Sequence, residues 1–462
     1  MAPIRIDYGN LMAPRVSGGV TAERLNGDLA DRFRGAMSAV DERRAAGDFG
    51  FFELPYSSEM VAQVTELADG FGQWFQDVVV FGIGGSSLGA KALRDALLGP
   101  SWNAQGAEQR EHFPRLHVVD NADPFTLEAL FKRIDPATTL FNVVSKSGAT
   151  AETMAQYLVA RGRVEAAVGE EKSRGHFLFT TDPARGVLRQ IADAEGIPTL
   201  SIPENVGGRF SVLSPAGLLP AAVCGVDIEA LLRGAATMDE RCRTHELAQN
   251  PAGVLATLLH EADTEQGRPI HVLMAYADRL RSTTLWFQQL WAESLGKAVT
   301  LSGEDRATGP TPISAVGACD QHSLLQLFVE GPQDKVVIFV AVDDPGASVT
   351  VPNRHPEIDA LAYLGGHTVG ELLQKERSAT AEALRRTGRP NATIHVPAIE
   401  AESVGGLLLL FQAATVIAGA LYDVDPLGQP GVELSKELTY GLMGRAGTDM
   451  PELADPDPEW IL

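Results

Sequence analysis

The chain has 462 residues, enough for roughly three domain-sized units of about 150 residues each. Hydrophobic residues make up 45% and charged residues 21%, which excludes disordered, collagenous and coiled-coil classes. With 38 basic and 60 acidic side chains the formal charge is −22, so most of the surface repels nucleic acid and anionic membranes.

Residues 1–70 read as a helical segment, from periodic apolar positions in LADRFRGAMSAVDERRAAG and SEMVAQVTELADGFGQWF. Short apolar strands then alternate with helical runs. The first, 77–84, feeds Gly82-Ile83-Gly84-Gly85-Ser86-Ser87-Leu88-Gly89. Those glycines let the backbone approach a ligand, the serines donate hydroxyls, and the following helix N-terminus favours an anion. Ser87 stands at the third glycine position of a dinucleotide fingerprint, and no Gly-Lys-Ser/Thr follows, so neither a Rossmann nor a Walker A loop is present. A tight strand–helix turn explains the same residues equally well.

Further strands are read at 115–121 and 139–147. The second ends in Ser145-Lys146-Ser147-Gly148-Ala149-Thr150, which offers a compact anion several short donors at a helix start. Ser147 or Thr150 could equally cap that helix. Two hydroxyl-rich loops at neighbouring strand ends favour a phosphate pocket, because open α/β sheets bind ligands there. Strands at 175–181 and 197–203 follow, and then Gly207-Gly208-Arg209-Phe210-Ser211. That arginine is either held against a ligand or in a structural ion pair.

After a helical connection near 215–265, strands at 270–277, 335–342 and 392–399 start a second set. Between the first two lies the helix TTLWFQQLWAESLGK, with Gln289 and Glu293 four apart on one face. Trp286, Leu290 and Trp291 make that neighbourhood apolar, which raises the basicity expected of Glu293. A solvated glutamate is the simpler alternative. Asp320-Gln321-His322-Ser323 enters a helix, with His322 either a helix-start hydrogen bonder or a catalytic group. Residues 405–422 are apolar and nearly long enough to span a membrane, but acidic flanks and a lack of Lys or Arg favour a buried central helix. Gln429 to Lys436 open the last helix with a lysine opposing the helix dipole, and an acidic, Pro-containing tail closes the chain.

The expected fold is therefore α/β: two doubly wound domains with mainly parallel sheets, flanked by N- and C-terminal helices. The expected divisions are residues 1–70, 71–215, 216–430 and 431–462. Cys224, Cys242 and Cys319 are scattered, no Cys/His cluster exists and the N-terminus lacks a signal-peptide pattern. No metal and no cofactor are expected, and a reducing, cytoplasmic location is.

Six ordered motifs over residues 75–440 together resemble the phosphoglucose isomerase family, which is built on tandem sugar-isomerase domains. ENVGGRFSVLSPAG, 204–217, fits the first family signature throughout. The second is partly kept: Leu427 and Gly428 replace an aromatic-Asp pair, while Gln429, Gly431, Val432, Glu433 and Lys436 remain. GIGGSSLG, SKSGAT, AESLGK and DQHS match as well.

The resemblance implies reversible isomerisation of glucose 6-phosphate and fructose 6-phosphate through ring opening and a cis-enediol. It implies that Gly85, Ser86, Ser145, Lys146, Ser147 and Thr150 hold the phosphorylated sugar, with Ala149 standing where a hydroxyl is common. Glu293 would move the proton between C1 and C2, Arg209 would stabilise the enediolate, and Gln289 would orient the substrate. His322 and Lys436 would open the ring, the histidine reaching the site of a neighbouring subunit in a homodimer. Two rivals are a dual glucose/mannose 6-phosphate isomerase and a sugar-phosphate sensor without catalysis. The second is disfavoured by two domains, an acidic balance and the joint presence of Glu293, His322, Arg209 and Lys436. A transaldolase fusion is disfavoured by the short segment ahead of the first strand.

Overall fold

The structure, a computed structural model, describes residues 3–72 and 74–462. Strand β1 (Arg5–Asp7) lies within the N-terminal segment expected to be helical, and helices at Asp28–Ala45 and Ser58–Gly72 follow it. Then come β2 (Asp77–Phe81), β3 (Arg115–Val119), β4 (Thr139–Ser145), β5 (Phe177–Thr181) and β6 (Thr199–Ser201). They form one parallel sheet in the order β3-β2-β4-β5-β6. Burial along β2, β4 and β5 is complete, as near-continuous Val, Phe and Leu runs covered on both faces require.

The second sheet contains β7 (Ile270–Ala275). A short antiparallel ribbon of β8 (Lys297–Val299) and β9 (Asp305–Thr308) comes next in the chain, before β10 (Thr311–Val316), β11 (Lys335–Asp344) and β12 (Asn391–Ala398). The order is β1-β12-β11-β7-β10, parallel except where β1 runs against β12. Sequence reading misses β1 and β10, the two edge strands. Pro312 and Ser314 break the apolar run of β10, and an edge position tolerates the missing N–H.

The helix Ala401–Leu421 passes through the middle of the molecule, with 89% of its apolar window buried. It is a core helix, as its all-round apolarity predicts. It packs backbone to backbone on the helix Ile228–Cys242. A Cβ at Gly234 would lie 1.7 Å from the Glu402 carbonyl oxygen, and one at Gly405 would lie 1.8 Å from that of Leu231. The glycines thus let two helices touch, and each buried leucine between 407 and 410 contributes roughly 1.5–3 kcal/mol.

Candidate active site

Six chain segments meet in a cleft of about 620 Å³ at the carboxyl ends of the first sheet. Its walls carry Lys146, Arg185, Arg209 and Lys436 against Asp182 and Glu293. In a chain of formal charge −22, this is a local cationic excess where an anion can settle.

The turn after β2 supplies Gly84, Gly85 and Ser86 to one wall. Gly84 adopts a left-handed conformation, φ 57°. A Cβ at Gly85 would lie 2.2 Å from the Gly208 carbonyl carbon, so this turn and the Gly207-Gly208-Arg209 turn meet backbone to backbone. Gly85→Ala is expected to destabilise the protein by about 1–3 kcal/mol, read as a lower urea midpoint, because neither main chain can yield. An unchanged midpoint would show that the two turns separate freely.

The Ser145–Thr150 loop divides its labour. Lys146, Ser147 and Thr150 line the cleft. Ser145 is only 2% exposed and lies behind them, its hydroxyl 2.9 Å from Thr150 Oγ1 and accepting from Gly148 N at 3.1 Å. Thr150 sits at the N-cap of the helix Ala151–Val168, yet its side chain makes no capping bond. Its hydroxyl meets Ser145 and, at 3.4 Å, Ser147. Plain capping therefore fails to explain Thr150, whose hydroxyl instead joins those of Ser145 and Ser147 at the N-terminus of an 18-residue helix beside the cleft, with Ser147 also accepting from Ala149 N at 3.4 Å. Lys146 Nζ donates to the carbonyls of Glu204 and Val206 at 2.7 and 2.9 Å, and burial pushes its pKa down.

The opposite wall comes from the helix Arg281–Leu295. Gln289 Nε2 donates to Glu293 Oε1 at 3.0 Å, and Arg209 Nη1 donates to Glu293 Oε2 at 3.2 Å. The apolar neighbourhood expected of Glu293 is not what it meets. Trp286, Leu290 and Trp291 are buried in the core, while the Glu293 side chain is 31% exposed on the cleft side. Gln289 Oε1 is buried and has no hydrogen-bond partner among the described residues. An acceptor left in that state is one that a ligand hydroxyl can satisfy.

Arg209 is 3% exposed, and each of its five N–H groups has an acceptor. Nε donates to Ser294 Oγ at 2.7 Å, and Nη1 to Glu293 and to Gln429 Oε1 at 2.6 Å. Nη2 donates to the carbonyls of Pro426 and, at 3.3 Å, Gly428. Gln412, inside the core helix, holds the same turn from beneath by donating to the Phe210 carbonyl at 2.8 Å. Sequence reading offers Arg209 a ligand or an ion pair. The structure gives it an ion pair facing the ligand space.

Lys436 reaches the cleft from the first turn of the helix Glu433–Leu442, its ammonium 2.7 Å from Glu433. His322 does not join this group. It is exposed and lines no part of the cleft. Its neighbours are all engaged in bracing the turn: Asp320 accepts from Val316 N at 2.7 Å, and Gln321 accepts from the Tyr276 hydroxyl at 2.7 Å. The turn therefore holds His322 outward. Sequence reading leaves Asp182, Arg185 and Ser294 without a role, and Lys297 too, which donates to the carbonyls of Glu293 and Ser294 at 2.6 and 2.9 Å. Burial brings Lys297 down to about 8. Among the described residues no group of three or more His, Cys, Asp or Glu side chains is arranged to hold a metal ion.

Fold and cleft together define a class: a tandem-sheet α/β protein whose strand ends present a hydroxyl-lined cleft to a carboxylate–guanidinium pair. The sequence profile described as "Phosphoglucose isomerase" matches residues 60–452. The chain is 46% identical to the glucose-6-phosphate isomerase of Rubrobacter xylanophilus, covering 97% of this chain and 99% of that one. It is 41% identical to that of Carboxydothermus hydrogenoformans, covering 96% and 95%. The crystal structure of a hypothetical protein from Thermus thermophilus superposes with TM-score 0.84 at 37% identity, over 96% of this chain and 100% of that one. The chain belongs to the phosphoglucose isomerase family.

Proposed function

We infer that the chain interconverts glucose 6-phosphate and fructose 6-phosphate, the aldose–ketose isomerisation named for its relatives. The observation that carries the assignment of roles is Glu293, its carboxylate spanned by Gln289 and Arg209 in the cleft that Ser147 and Thr150 also line. The phosphate is held by the hydroxyls of Ser86, Ser147 and Thr150, the helix dipole behind them and Lys146. Ser145 keeps Thr150 in place and Gly85 lets the two turns close. Gln289 Oε1 accepts a sugar hydroxyl.

With the chain open, Glu293 takes the proton from C2 of the aldose or C1 of the ketose and returns it to the neighbouring carbon. Negative charge then leaves the carboxylate and appears on the enediolate oxygen. Arg209 touches the carboxylate that is losing charge, so the Nη1 hydrogen released by Glu293 is free to turn to the enediolate. Lys436 and a histidine exchange protons with the ring and carbonyl oxygens during ring opening.

His322 serves as that histidine in a homodimer, donated to the other subunit's cleft; its outward presentation and distance from its own cleft support this reading. A mixture of Glu293→Gln and His322→Ala subunits, refolded together, is expected to regain about a quarter of wild-type turnover. Half of the dimers are then mixed, and each mixed dimer has one intact site. No recovery in mixed dimers would place His322 and Glu293 in one subunit's site.

The experiment for the activity itself is formation of glucose 6-phosphate from fructose 6-phosphate, coupled to a dehydrogenase. Turnover is expected with this pair, with mannose 6-phosphate assayed alongside. Failure of the folded protein to turn over either sugar would overturn the assignment. Three free cysteines, Cys224 and Cys242 of them buried, support a reducing, cytoplasmic setting.

A further inference from the structure

Three of the five acceptors around Arg209 come from one short loop: the Pro426 carbonyl, the Gly428 carbonyl and the Gln429 side chain. This loop has no regular secondary structure, so something must fix which way its peptides point. Asp425 does so. Its Oδ1 accepts from Leu427 N at 3.2 Å and its Oδ2 accepts from Gly428 N at 3.1 Å.

The Leu427 N–H and the Pro426 carbonyl are the two ends of one planar trans peptide and point in opposite directions. Fastening that N–H to Asp425 therefore aims the carbonyl oxygen away from Asp425 and at Arg209. A carboxylate at one end of a peptide and a guanidinium at the other also polarise it in the same sense, which strengthens both bonds. Asp425 is held in turn by Arg43 Nη2 at 3.0 Å, from the helix Asp28–Ala45. Burial raises the Asp425 carboxyl pKa, but the Arg43 bond and the two N–H groups outweigh that and keep it below the usual carboxylate range. The loop is thus loaded while the carboxylate is ionised.

We propose that Asp425, braced by Arg43, is a positioning residue for the isomerisation, setting through the Pro426 peptide where the Arg209 guanidinium sits beside Glu293. This rests on the reading of Arg209 as the group that stabilises the enediolate. Neither Asp425 nor Arg43 lines the cleft, so neither touches the substrate.

Asp425→Ala and Asp425→Asn are to be made in the wild-type and Arg209→Ala backgrounds, with kcat and KM for fructose 6-phosphate and a thermal melt for each. In the wild-type background Asp425→Ala is expected to lower kcat about tenfold with KM within about twofold. Asp425→Asn keeps an oxygen for one of the two N–H groups and should lose about threefold. In the Arg209→Ala background either change should cost less than about twofold, because the residue through which it acts is gone. Equal losses in both backgrounds, or a folded Asp425→Ala of unchanged kcat, overturn the proposal. Should Asp425→Ala not fold, the same comparison is read from Asp425→Asn. An Arg209→Ala variant of near-normal kcat instead overturns the reading of Arg209, whatever Asp425 does.

Discussion

Glu293→Gln is expected to lower kcat for fructose 6-phosphate by about 10³-fold, within the range that general acid–base catalysis contributes, while KM stays within about threefold. A factor of 10³ corresponds to about 4 kcal/mol of lost transition-state stabilisation. The amide matches the carboxylate in shape but cannot carry a proton between carbons at neutral pH. It also cannot keep both present partners. Gln289 Nε2 and Arg209 Nη1 are both donors aimed at the two carboxylate oxygens. An amide offers one oxygen and one NH₂, so one donor must face another unless the side chain turns. A part of the loss is therefore electrostatic mismatch, which Glu293→Asp separates. That variant restores two acceptors but stands one methylene short of the reacting carbon. The chemical step is read directly by following deuterium uptake at C2 in D₂O. Wild-type protein should exchange rapidly and Glu293→Gln should not. Near-normal exchange in the variant would remove Glu293 from the proton transfer.

Arg209→Ala is the second large effect, with two separable parts. Loss of one preorganised donor at a developing oxyanion costs about 10²–10³ in kcat, so a fall of that size is expected with a much smaller change in KM. The substrate carries no enediolate charge before the proton moves, which is why affinity is spared. The second part is structural. Deletion leaves the Pro426 and Gly428 carbonyls and the Ser294 hydroxyl without the donor they now share. Each unsatisfied buried group costs about 1–3 kcal/mol, so a lower melting temperature is expected as well. Arg209→Lys keeps the charge but loses the planar fork. It should recover only part of the turnover, since one ammonium cannot serve five acceptors. A stability loss without a kcat loss in Arg209→Ala would make this arginine a structural group only.

The doubly wound architecture was readable because central parallel strands are covered on both faces and so write themselves as continuous apolar runs. β2, β4 and β5 fit that description. β1 and β10 do not, for they are edges with a proline or polar residues, and nothing in the alternation announces them. At the site, the loops after β2 and β4 declared themselves through glycines and hydroxyls. Which hydroxyl faces the cleft was not declared: Ser145 and Thr150 look alike in sequence, and only their relative burial separates a supporting group from an exposed one. The surroundings of Glu293 differ from the expected apolar ones for a related reason. Helical spacing says which residues share a face, but Trp286 and Trp291 turn to the core while Glu293 turns to the cleft. The environment of Arg209 was least legible, since two of its acceptors are main-chain carbonyls, present at every position and distinguished by none.

The contact between the Gly85 and Gly208 backbones has a metrical consequence. The turn bearing Ser86 and the turn bearing Arg209 abut with no side chain between them to compress or rotate. That contact fixes how far apart the two main chains stand, while the Arg209 guanidinium itself is aimed by the loop at residues 426–429. On the roles proposed above, a cleft whose two turns cannot spread is expected to be sensitive to the length of the sugar phosphate it accepts.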